Sequence, residues 1–181
     1  MSAVAGGFAV WITGRPASGK STLAKALAAE LSRLGLDPVT LESDVLRGIL
    51  TPRPRYDKEE RDVFYGAMAW IGALLASRGV PVIFDATANR RRYRDRARRE
   101  IPRFLEVYVA CPLPTCRARD PKGIYRRARE GTAAGVPGLD APYEPPRFPD
   151  VTVRGDRDDP REAAARVMRA LAAKGYLGGA K

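Results

Sequence analysis

The chain has 181 residues and a mass of 19.8 kDa, which predicts a single domain over 1–181 and leaves little room for a second. Hydrophobic residues make up 45% and charged residues 29%, a balance typical of a folded, soluble protein. No apolar run approaches the ~20 residues that cross a bilayer, so the sequence predicts no membrane span. The segment 1–7 has neither a basic start nor a long apolar stretch, and we expect no secretory signal there.

The sequence contains no histidine, so carboxylates, lysine, hydroxyls or thiols must supply any acid–base chemistry. The two cysteines, Cys111 and Cys116, are too few for a zinc quartet or a disulfide framework. We therefore expect both thiols to be structural and the protein to be cytoplasmic, where thiols stay reduced.

Basic residues outnumber acidic residues by 32 to 21, which gives a formal net charge of +11. A basic protein of this kind can hold a phosphate-rich partner such as nucleic acid. The alternative is compositional, because arginine, alanine, glycine and proline are frequent along the whole chain. The charge alone does not decide between the two interpretations.

Apolar runs of strand length alternate along the chain with longer segments of helical periodicity, which predicts an α/β domain with a parallel sheet. The first predicted strand is 8–13. Leucines at helical spacing follow from Leu23 to Leu34, and Gly35 is a natural stop for that helix. The run 39–41 is the second predicted strand.

A long helix is expected from about Glu59, ended by Gly79. It carries the apolar residues Val63, Ala67, Trp70, Ile71, Leu74 and Leu75. The remaining predicted elements are, in chain order, a strand at 80–84, a helix at 90–100, a strand at 107–110, the start of a helix at 121–130, a strand at 150–153 and a helix at 160–173. The proline-rich stretch 131–149 is the one long irregular segment and a candidate substrate loop. No heptad or apolar patch in the sequence indicates an interface.

The strongest motif lies between the first predicted strand and the first predicted helix. Residues 14–21 have the sequence G-R-P-A-S-G-K-S, a full match to the phosphate-binding pattern G-x-x-x-x-G-K-S/T. Glycines let backbone N–H groups approach phosphate oxygens, and the helix N-terminus adds its partial positive charge. Lys20 is expected to reach the β- and γ-phosphates, and Ser21 to bind Mg²⁺. The predicted nucleotide-binding residues are Gly14, Arg15, Pro16, Ala17, Ser18, Gly19, Lys20, Ser21 and Thr22.

Two carboxylates lie where ligands of open parallel sheets bind, at the C-terminal ends of predicted strands. Asp44 follows the second strand, with Arg47 three residues further on, and can orient or deprotonate an acceptor hydroxyl. Asp85 ends the third strand and can hold the Mg²⁺ shell through water. The alternative for each is a helix N-cap, a common role for Asp after a strand.

Three downstream segments resemble a known family. Residues 108–113 (Y-V-A-C-P-L) and 116–129 (C-R-A-R-D-P-K-G-I-Y-R-R-A-R) resemble the fourth strand and lid of adenylyl-sulfate kinases. Residues 140–146 (D-A-P-Y-E-P-P) are similar to the loop before that family's last strand. With the phosphate loop, the resemblance covers about residues 8–155. It implies a P-loop kinase fold, a three-layer α/β/α domain with a five-stranded parallel sheet and a lid segment at about 117–149.

The same resemblance implies an activity and residue roles. The expected reaction is phosphorylation of the 3′-hydroxyl of adenosine 5′-phosphosulfate by ATP with Mg²⁺, in a homodimer. Lys20, Asp44 and Arg119 are expected to be catalytic, and Arg119 and Lys122 to close over the nucleotide. The residues expected to bind the acceptor are Asp44, Arg47, Tyr56, Arg61, Thr87, Lys122 and Val136, and those expected at the metal are Ser21, Asp44 and Asp85.

Several acceptor positions depart from the family pattern. The family's D-G-D-N-x-R is E-S-D-V-L-R at 42–47, so Val45 replaces an Asn. Phe64 replaces another Asn, and Val136 replaces the lid Phe that stacks on the acceptor's adenine. Losing one hydrogen bond to a substrate costs ~1–3 kcal/mol, so several losses require replacement contacts or a different acceptor.

The segment after the third predicted strand points toward a different acceptor. Residues 85–89 (D-A-T-A-N), followed by basic residues, resemble small P-loop kinases that phosphorylate polynucleotide 5′-ends, nucleosides or antibiotics. The seven arginines between 90 and 99 can attract a nucleic-acid acceptor or form an ordinary solvated surface. A non-enzymatic nucleotide-binding module is the third hypothesis, although it leaves Asp44, Arg47 and the lid without a purpose.

Overall fold

The computed structural model describes residues 7–177. The expectation about a signal segment concerns residues 1–7 and so lies, except for Gly7, outside the described residues. One sheet of five parallel strands forms the centre, in the order β2-β3-β1-β4-β5. The strands are β1 (Ala9–Thr13), β2 (Val39–Glu42), β3 (Val82–Asp85), β4 (Phe104–Ala110) and β5 (Val151–Arg154). The helices are α1 (Lys20–Arg33), α2 (Ser43–Leu50), α3 (Lys58–Ser77), α4 (Arg91–Glu100), α5 (Leu113–Arg119), α6 (Ile124–Arg129) and α7 (Pro160–Ala173).

Helices cover both faces of the sheet, which makes the domain a three-layer α/β/α sandwich. All five residues of β1 are buried, and successive side chains point to opposite faces. Val10 and Ile12 join the core beneath α1 and α7, while Ala9 and Trp11 join the core beneath α3 and α4. A strand buried on both faces needs a continuous apolar run, and this explains why the sequence predicted β1 so directly. The expected α/β fold with five parallel strands is confirmed.

The apolar residues of the long helix divide between two sides of α3. Ile71 and Leu75 pack against the core, whereas Val63, Trp70 and Leu74 are exposed. The helix packs on the sheet through the side opposite these three. That side carries Gly72, where a Cβ atom would lie 2.1 Å from the ring of Phe84. Small residues decide which face comes close to the sheet, because only they admit the Phe84 ring.

The short helix α2 was not predicted, and none of its residues is fully buried. It connects β2 to α3 and so carries Asp44 and Arg47 past the C-terminal edge of the sheet. The lid segment contributes α6 and a small core of its own, formed by Tyr125 and Val136 against Cys111 and Cys116. Within residues 7–177, no helix combines the length and apolar character needed to cross a bilayer.

Candidate active site

The phosphate loop turns tightly between β1 and α1. At Gly14 a Cβ atom would lie 2.6 Å from both the Ser18 hydroxyl oxygen and the Val109 carbonyl oxygen, so only glycine fits there. Gly19 has a φ of 106°, a left-handed conformation that glycine adopts without strain. Ala17, in the middle of the loop, also has a positive φ, 61°, although it carries a side chain. The loop backbone therefore faces a cavity at the N-terminus of α1, the arrangement that binds phosphate.

Lys20 lies across this loop. Its Nζ atom donates a hydrogen bond to the Arg15 carbonyl oxygen at 2.9 Å. Burial lowers the pKa of Lys20, while the nearby carboxylates of Asp85 and Asp44 act in the opposite direction. Lys20 therefore interacts electrostatically with both carboxylates at the strand ends.

A cavity of about 570 Å³ opens over the phosphate loop. It is bounded by the loop, the ends of β2 and β3, the lid segment and the β5–α7 connection. Of the predicted residues, it brings together Pro16, Ala17, Gly19, Lys20, Ser21, Thr22, Asp44, Asp85, Arg119 and Lys122. Gly14, Arg15 and Ser18 do not line it, and Arg15 points toward β4, where Nη1 donates to the Cys111 carbonyl oxygen at 3.3 Å.

Neither strand-end aspartate is a helix N-cap. The N-cap residue of α2 is Glu42, and Asp44 lies inside the first turn. Asp85 precedes a loop, and the N-cap residue of the next helix is Arg90. Asp44 is exposed and accepts a hydrogen bond from Lys122 Nζ at 2.5 Å, an interaction that raises the pKa of Lys122. Both aspartates are therefore free of the capping role and face the cavity.

Ser21, Asp44 and Asp85 present oxygen ligands to the same cavity. Among the described residues, no three acidic, histidine or cysteine side chains group together as a complete metal cage. Magnesium does not require one, because it keeps several waters and uses substrate phosphates with one or two carboxylates. The set of donors therefore fits Mg²⁺ delivered with a nucleotide.

A second cavity, of about 420 Å³, adjoins the first. Asp44 and Lys122 line both cavities and lie where the two meet. Arg47, Tyr56, Arg61 and Val136, all predicted to bind the acceptor, line the second cavity. Thr87 lines neither, and its carbonyl oxygen instead accepts a 2.6 Å hydrogen bond from the Thr13 hydroxyl.

Two of the three arginines that line the second cavity, Arg47 and Arg61, were predicted from the sequence, and they have different surroundings. Arg47 Nη1 lies 3.0 Å from Glu60 Oε1, and its guanidinium stacks on Phe64 at 4.0 Å. Arg61 is buried, donates from Nη2 to the Gly135 carbonyl oxygen at 2.5 Å, and has no hydrogen-bond acceptor for Nε. Arg61 forms no ion pair with the described residues, so it is the stronger candidate for binding an anionic acceptor.

Two lid residues, Val136 and Arg119, make contacts that the sequence did not predict. Val136 is buried against Cys111, Cys116 and Tyr125, so its side chain belongs to the lid core as well as to the cavity wall. Burial raises the pKa of the Cys116 thiol to about 12, which makes that thiol inert, and both cysteines are free and buried. Arg119 Nη1 donates to the Gly155 carbonyl oxygen at 2.7 Å and so ties the lid to the β5–α7 connection.

The β5–α7 connection also contributes residues that the sequence analysis missed. Asp156, Arg157 and Asp158 line the first cavity. Asp158 accepts hydrogen bonds from the backbone N–H of Arg154 at 2.8 Å and from the Arg166 guanidinium. The signal was available, since these three polar residues begin three positions after the last predicted strand, on the edge where ligands of parallel sheets bind.

The arginines of α4 are largely neutralised within the protein. Arg94 is buried and pairs with Glu106 at 2.6 Å, and Arg98 pairs with the same carboxylate at 3.1 Å. Other pairs join Arg90 to Glu144, Arg92 to Asp62 and Arg96 to Glu100. This pattern favours a structural role for the arginine-rich helix over the attraction of a nucleic-acid acceptor.

A glycine-rich phosphate loop between β1 and α1, carboxylates at two neighbouring strand ends and a basic lid define a P-loop kinase. The family model for adenylylsulphate kinase matches residues 6–154. The chain belongs to this family and is a kinase-type phosphotransferase.

Individual relatives agree with this assignment. The adenylyl-sulfate kinase of Microcystis aeruginosa is 39% identical, with 94% of each chain covered. The probable adenylyl-sulfate kinase of Pyrococcus abyssi is also 39% identical, with 94% of this chain and 98% of the relative covered. Among solved structures, the APS kinase of Mycobacterium tuberculosis in complex with AMPPNP and APS has a TM-score of 0.86 at 32% identity, covering 92% of this chain and 98% of that one.

Proposed function

We propose that this protein transfers the γ-phosphoryl group of ATP to the 3′-hydroxyl of adenosine 5′-phosphosulfate. The observation that carries the proposal is the boundary between the two cavities, because Asp44 and Lys122 line both. A nucleotide in the first cavity and an alcohol in the second would meet at this pair. Family membership supports the identity of both substrates.

On the nucleotide side, the loop amides and Lys20 would hold the phosphates. Ser21, Asp44 and Asp85 would hold Mg²⁺, which, when bound, neutralises charge on the transferring group. The Lys20–Arg15 hydrogen bond keeps the ammonium group beside the loop before the nucleotide arrives. Arg119, anchored on Gly155, would close the far side of the cavity and exclude water.

On the acceptor side, Asp44 would orient the hydroxyl and accept its proton. In the free protein, Lys122 donates a hydrogen bond to the Asp44 carboxylate. When the acceptor hydroxyl takes the place of Lys122 at Asp44, the lysine would turn toward the phosphate oxygens. Arg61 would bind the acceptor's anionic group, and the Tyr56 ring on the same cavity wall offers an aromatic face for the adenine. Phe64 is fully buried beneath Arg47 and so supplies no polar contact.

We also infer that the protein is a cytoplasmic homodimer. Two free, buried thiols suit a reducing compartment. The resemblance to the family supports self-association.

A coupled ADP-release assay with a panel of acceptors tests the proposed reaction. The panel contains adenosine 5′-phosphosulfate, a DNA 5′-hydroxyl end, a nucleoside and an aminoglycoside. We expect ADP release that depends on adenosine 5′-phosphosulfate, with the new phosphate on the 3′-oxygen by ³¹P NMR. Turnover with only one of the other acceptors would show that the protein is a kinase for an acceptor other than adenosine 5′-phosphosulfate. ATP binding without turnover of any acceptor would favour the non-enzymatic nucleotide-binding module.

One observation favours the alternative of a larger or different hydroxyl acceptor. A third cavity, of about 560 Å³, shares Tyr56 and Arg61 with the acceptor cavity. Its wall includes Arg90 and Asn89, whose buried Oδ1 atom lacks a donor. Acceptors that extend beyond a nucleotide would reach this space, and the panel above therefore includes a DNA end.

A further inference from the structure

The outer side of the phosphate loop packs against the lid segment. The hydroxyl of Tyr125, on α6, donates a hydrogen bond to the Pro16 carbonyl oxygen at 2.9 Å. Both residues are buried, and the Ala17 side chain packs against the same lid core. Two consecutive residues of the loop are therefore held by a lid core whose tyrosine lies 109 residues further along the chain.

The Tyr125 hydroxyl is a fixed donor. Burial raises the pKa of Tyr125, so the phenol keeps its proton and donates it to the carbonyl. The start of α6 is anchored by Asp120, whose carboxylate accepts hydrogen bonds from the backbone N–H groups of Tyr125 at 3.2 Å and Arg126 at 2.9 Å. The direction of the Pro16 carbonyl is therefore set by the position of α6.

This hydrogen bond also sets the direction of the next backbone N–H group. The Pro16–Ala17 peptide bond is trans, and in a trans peptide the C=O and N–H groups point in opposite directions. Because the Pro16 carbonyl faces Tyr125, the Ala17 N–H faces away from the lid core. It donates to no acceptor within residues 7–177, and Ala17 lines the first cavity. The Ala17 N–H is therefore available to a phosphate oxygen.

The backbone conformation at Ala17 needs outside support. Its φ of 61° lies in the left-handed region, which is unfavourable for a residue with a Cβ atom. Such a residue keeps this conformation only where the surrounding structure holds it there. The hydrogen bond from Tyr125 acts on the peptide group directly before Ala17 and can supply that support.

We propose that Tyr125 is a positioning residue for the phosphate loop, whose hydroxyl holds the Pro16 carbonyl so that the Ala17 N–H faces the phosphates of the bound nucleotide. Tyr125 does not line the first or the second cavity, so it acts through the loop backbone. The inference rests on the ATP site of the proposed function and adds a lid residue to it.

Tyr125→Phe tests the proposal because it removes the hydroxyl and keeps the ring in the lid core. We expect the ATP dissociation constant, measured by calorimetry, to rise about tenfold, the effect of losing one well-placed hydrogen bond. In steady-state kinetics the KM for ATP should rise, while the acceptor KM changes less than twofold. A loss that is only structural would lower stability in urea unfolding without this separation of the two constants.

Tyr143→Phe is the matched control. Tyr143 is a second tyrosine of the lid segment, and burial raises its pKa as well. Its hydroxyl lies 3.2 Å from the Thr13 hydroxyl, at the end of β1, and makes no hydrogen bond to the backbone of the phosphate loop. The ATP dissociation constant of this variant should stay within twofold of wild type.

Inorganic tripolyphosphate shows whether the effect lies at the phosphates. It competes with ATP for the loop but has no base or ribose, so Tyr125→Phe should weaken both ligands by the same factor. A variant that weakens ATP but binds tripolyphosphate as the wild type does would overturn the role at the loop.

The substitution Ala17→Gly tests the link between the hydroxyl and the loop conformation. Glycine adopts a φ of 61° without strain, so the loop then needs less support from Tyr125. In the Ala17→Gly background, Tyr125→Phe should raise the ATP dissociation constant less than threefold, compared with about tenfold in the wild-type background. The same factor in both backgrounds would show that the hydroxyl does not act through Ala17.

The results distinguish this inference from the proposed function. A wild-type protein that binds ATP but does not phosphorylate adenosine 5′-phosphosulfate overturns the proposed reaction, while the binding measurements still decide the role of Tyr125. A wild-type protein that binds no ATP overturns both. Wild-type ATP affinity in Tyr125→Phe overturns this inference alone.

Discussion

The guanidinium carbon of Arg47 lies 4.0 Å from the centre of the Phe64 ring, and Phe64 occupies a position where the family pattern has Asn. The same guanidinium pairs with Glu60, whose side chain is only 10% exposed. Arg47 is thus neutralised and stacked before any acceptor arrives. Arg47, which was predicted to bind the acceptor, therefore joins α2 to α3 through its contacts with Phe64 and Glu60.

We expect the substitution Arg47→Met to lower stability strongly. It leaves the Glu60 carboxylate nearly buried without its cation, although the backbone N–H of Arg55 still donates to it at 2.6 Å. Breaking such a pair costs about 3 kcal/mol. Urea unfolding monitored by circular dichroism measures the loss. Arg33→Met is the control, because its exposed pair with Glu30 should contribute less than about 1 kcal/mol, and equal losses in the two variants would contradict the prediction.

Arg61→Met should act on acceptor binding. The Arg61 guanidinium carries a positive charge without an ion pair among the described residues, and it lines the acceptor cavity. A charged hydrogen bond to a substrate anion contributes about 1.5–3 kcal/mol. We expect the acceptor KM to rise roughly 10- to 100-fold, with the KM for ATP nearly unchanged. Arg61→Lys should recover part of the loss because it restores the charge. Steady-state kinetics measure both constants, and an acceptor KM within threefold of wild type would assign the anion to another residue.

Asp44→Asn should abolish transfer without loosening the nucleotide. The amide keeps the shape of the side chain but cannot accept the proton of the acceptor hydroxyl, so kcat should fall about 10²- to 10⁴-fold. The ATP dissociation constant, measured by calorimetry, should change less than threefold, since Lys20 and the loop amides remain. Glu42→Gln, at the same cavity wall, is the control and should retain activity. Near-normal turnover of Asp44→Asn would remove Asp44 from the role of base.

The sequence predicted those site residues whose positions depend on neighbouring elements in the chain. A buried strand, a glycine-rich turn and a helix follow one another, so Lys20 and Ser21 could be located from residues 8–34 alone. Asp44 and Asp85 followed from a general rule, because the ends of parallel strands converge on one edge. These residues line one cavity in the structure, as expected.

Contacts that depend on packing between distant elements could not be predicted in the same way. Arg47 and Glu60 meet only because α2 and α3 pack together, and nothing near Arg47 in the sequence indicates the pairing. The buried face of α3 depends on the fit between Gly72 and the Phe84 ring, which a count of apolar residues does not detect. Thr87 was assigned by alignment with a motif, but its backbone carbonyl is engaged with Thr13.

Gly155→Ala should weaken ATP binding through the phosphate loop. A Cβ atom at Gly155 would lie 2.0 Å from the Ser18 carbonyl oxygen, and backbone cannot yield as a flexible side chain can. The loop must shift, and we expect the ATP dissociation constant to rise at least about tenfold, the cost of one lost phosphate hydrogen bond. Gly48→Ala is the control: its Cβ would meet no atom within 4 Å and should favour α2 by up to about 1 kcal/mol. Unchanged ATP affinity in Gly155→Ala would show that the loop tolerates the clash.

Protonation of Asp158 should make the stability of the protein depend on pH, because its carboxylate holds the β5–α7 connection. The backbone N–H of Arg154 and the Arg166 guanidinium lower the pKa of this carboxyl from 3.8 to about 2. Between these values the unfolded chain binds more protons than the folded one. The stabilisation is therefore complete above about pH 4 and is lost as the pH falls through 2.

The substitution Asp158→Asn should accordingly cost roughly 1–2 kcal/mol at pH 7. Because the wild-type advantage comes from the ionised carboxylate, the difference between the two proteins should narrow between about pH 4 and pH 2. Urea unfolding at each pH measures it, with Asp95→Asn on the exposed side of α4 as a control whose effect stays below about 0.5 kcal/mol. A difference that stays constant or widens on acidification would show that the Asp158 carboxylate does not stabilise the β5–α7 connection through Arg154 and Arg166.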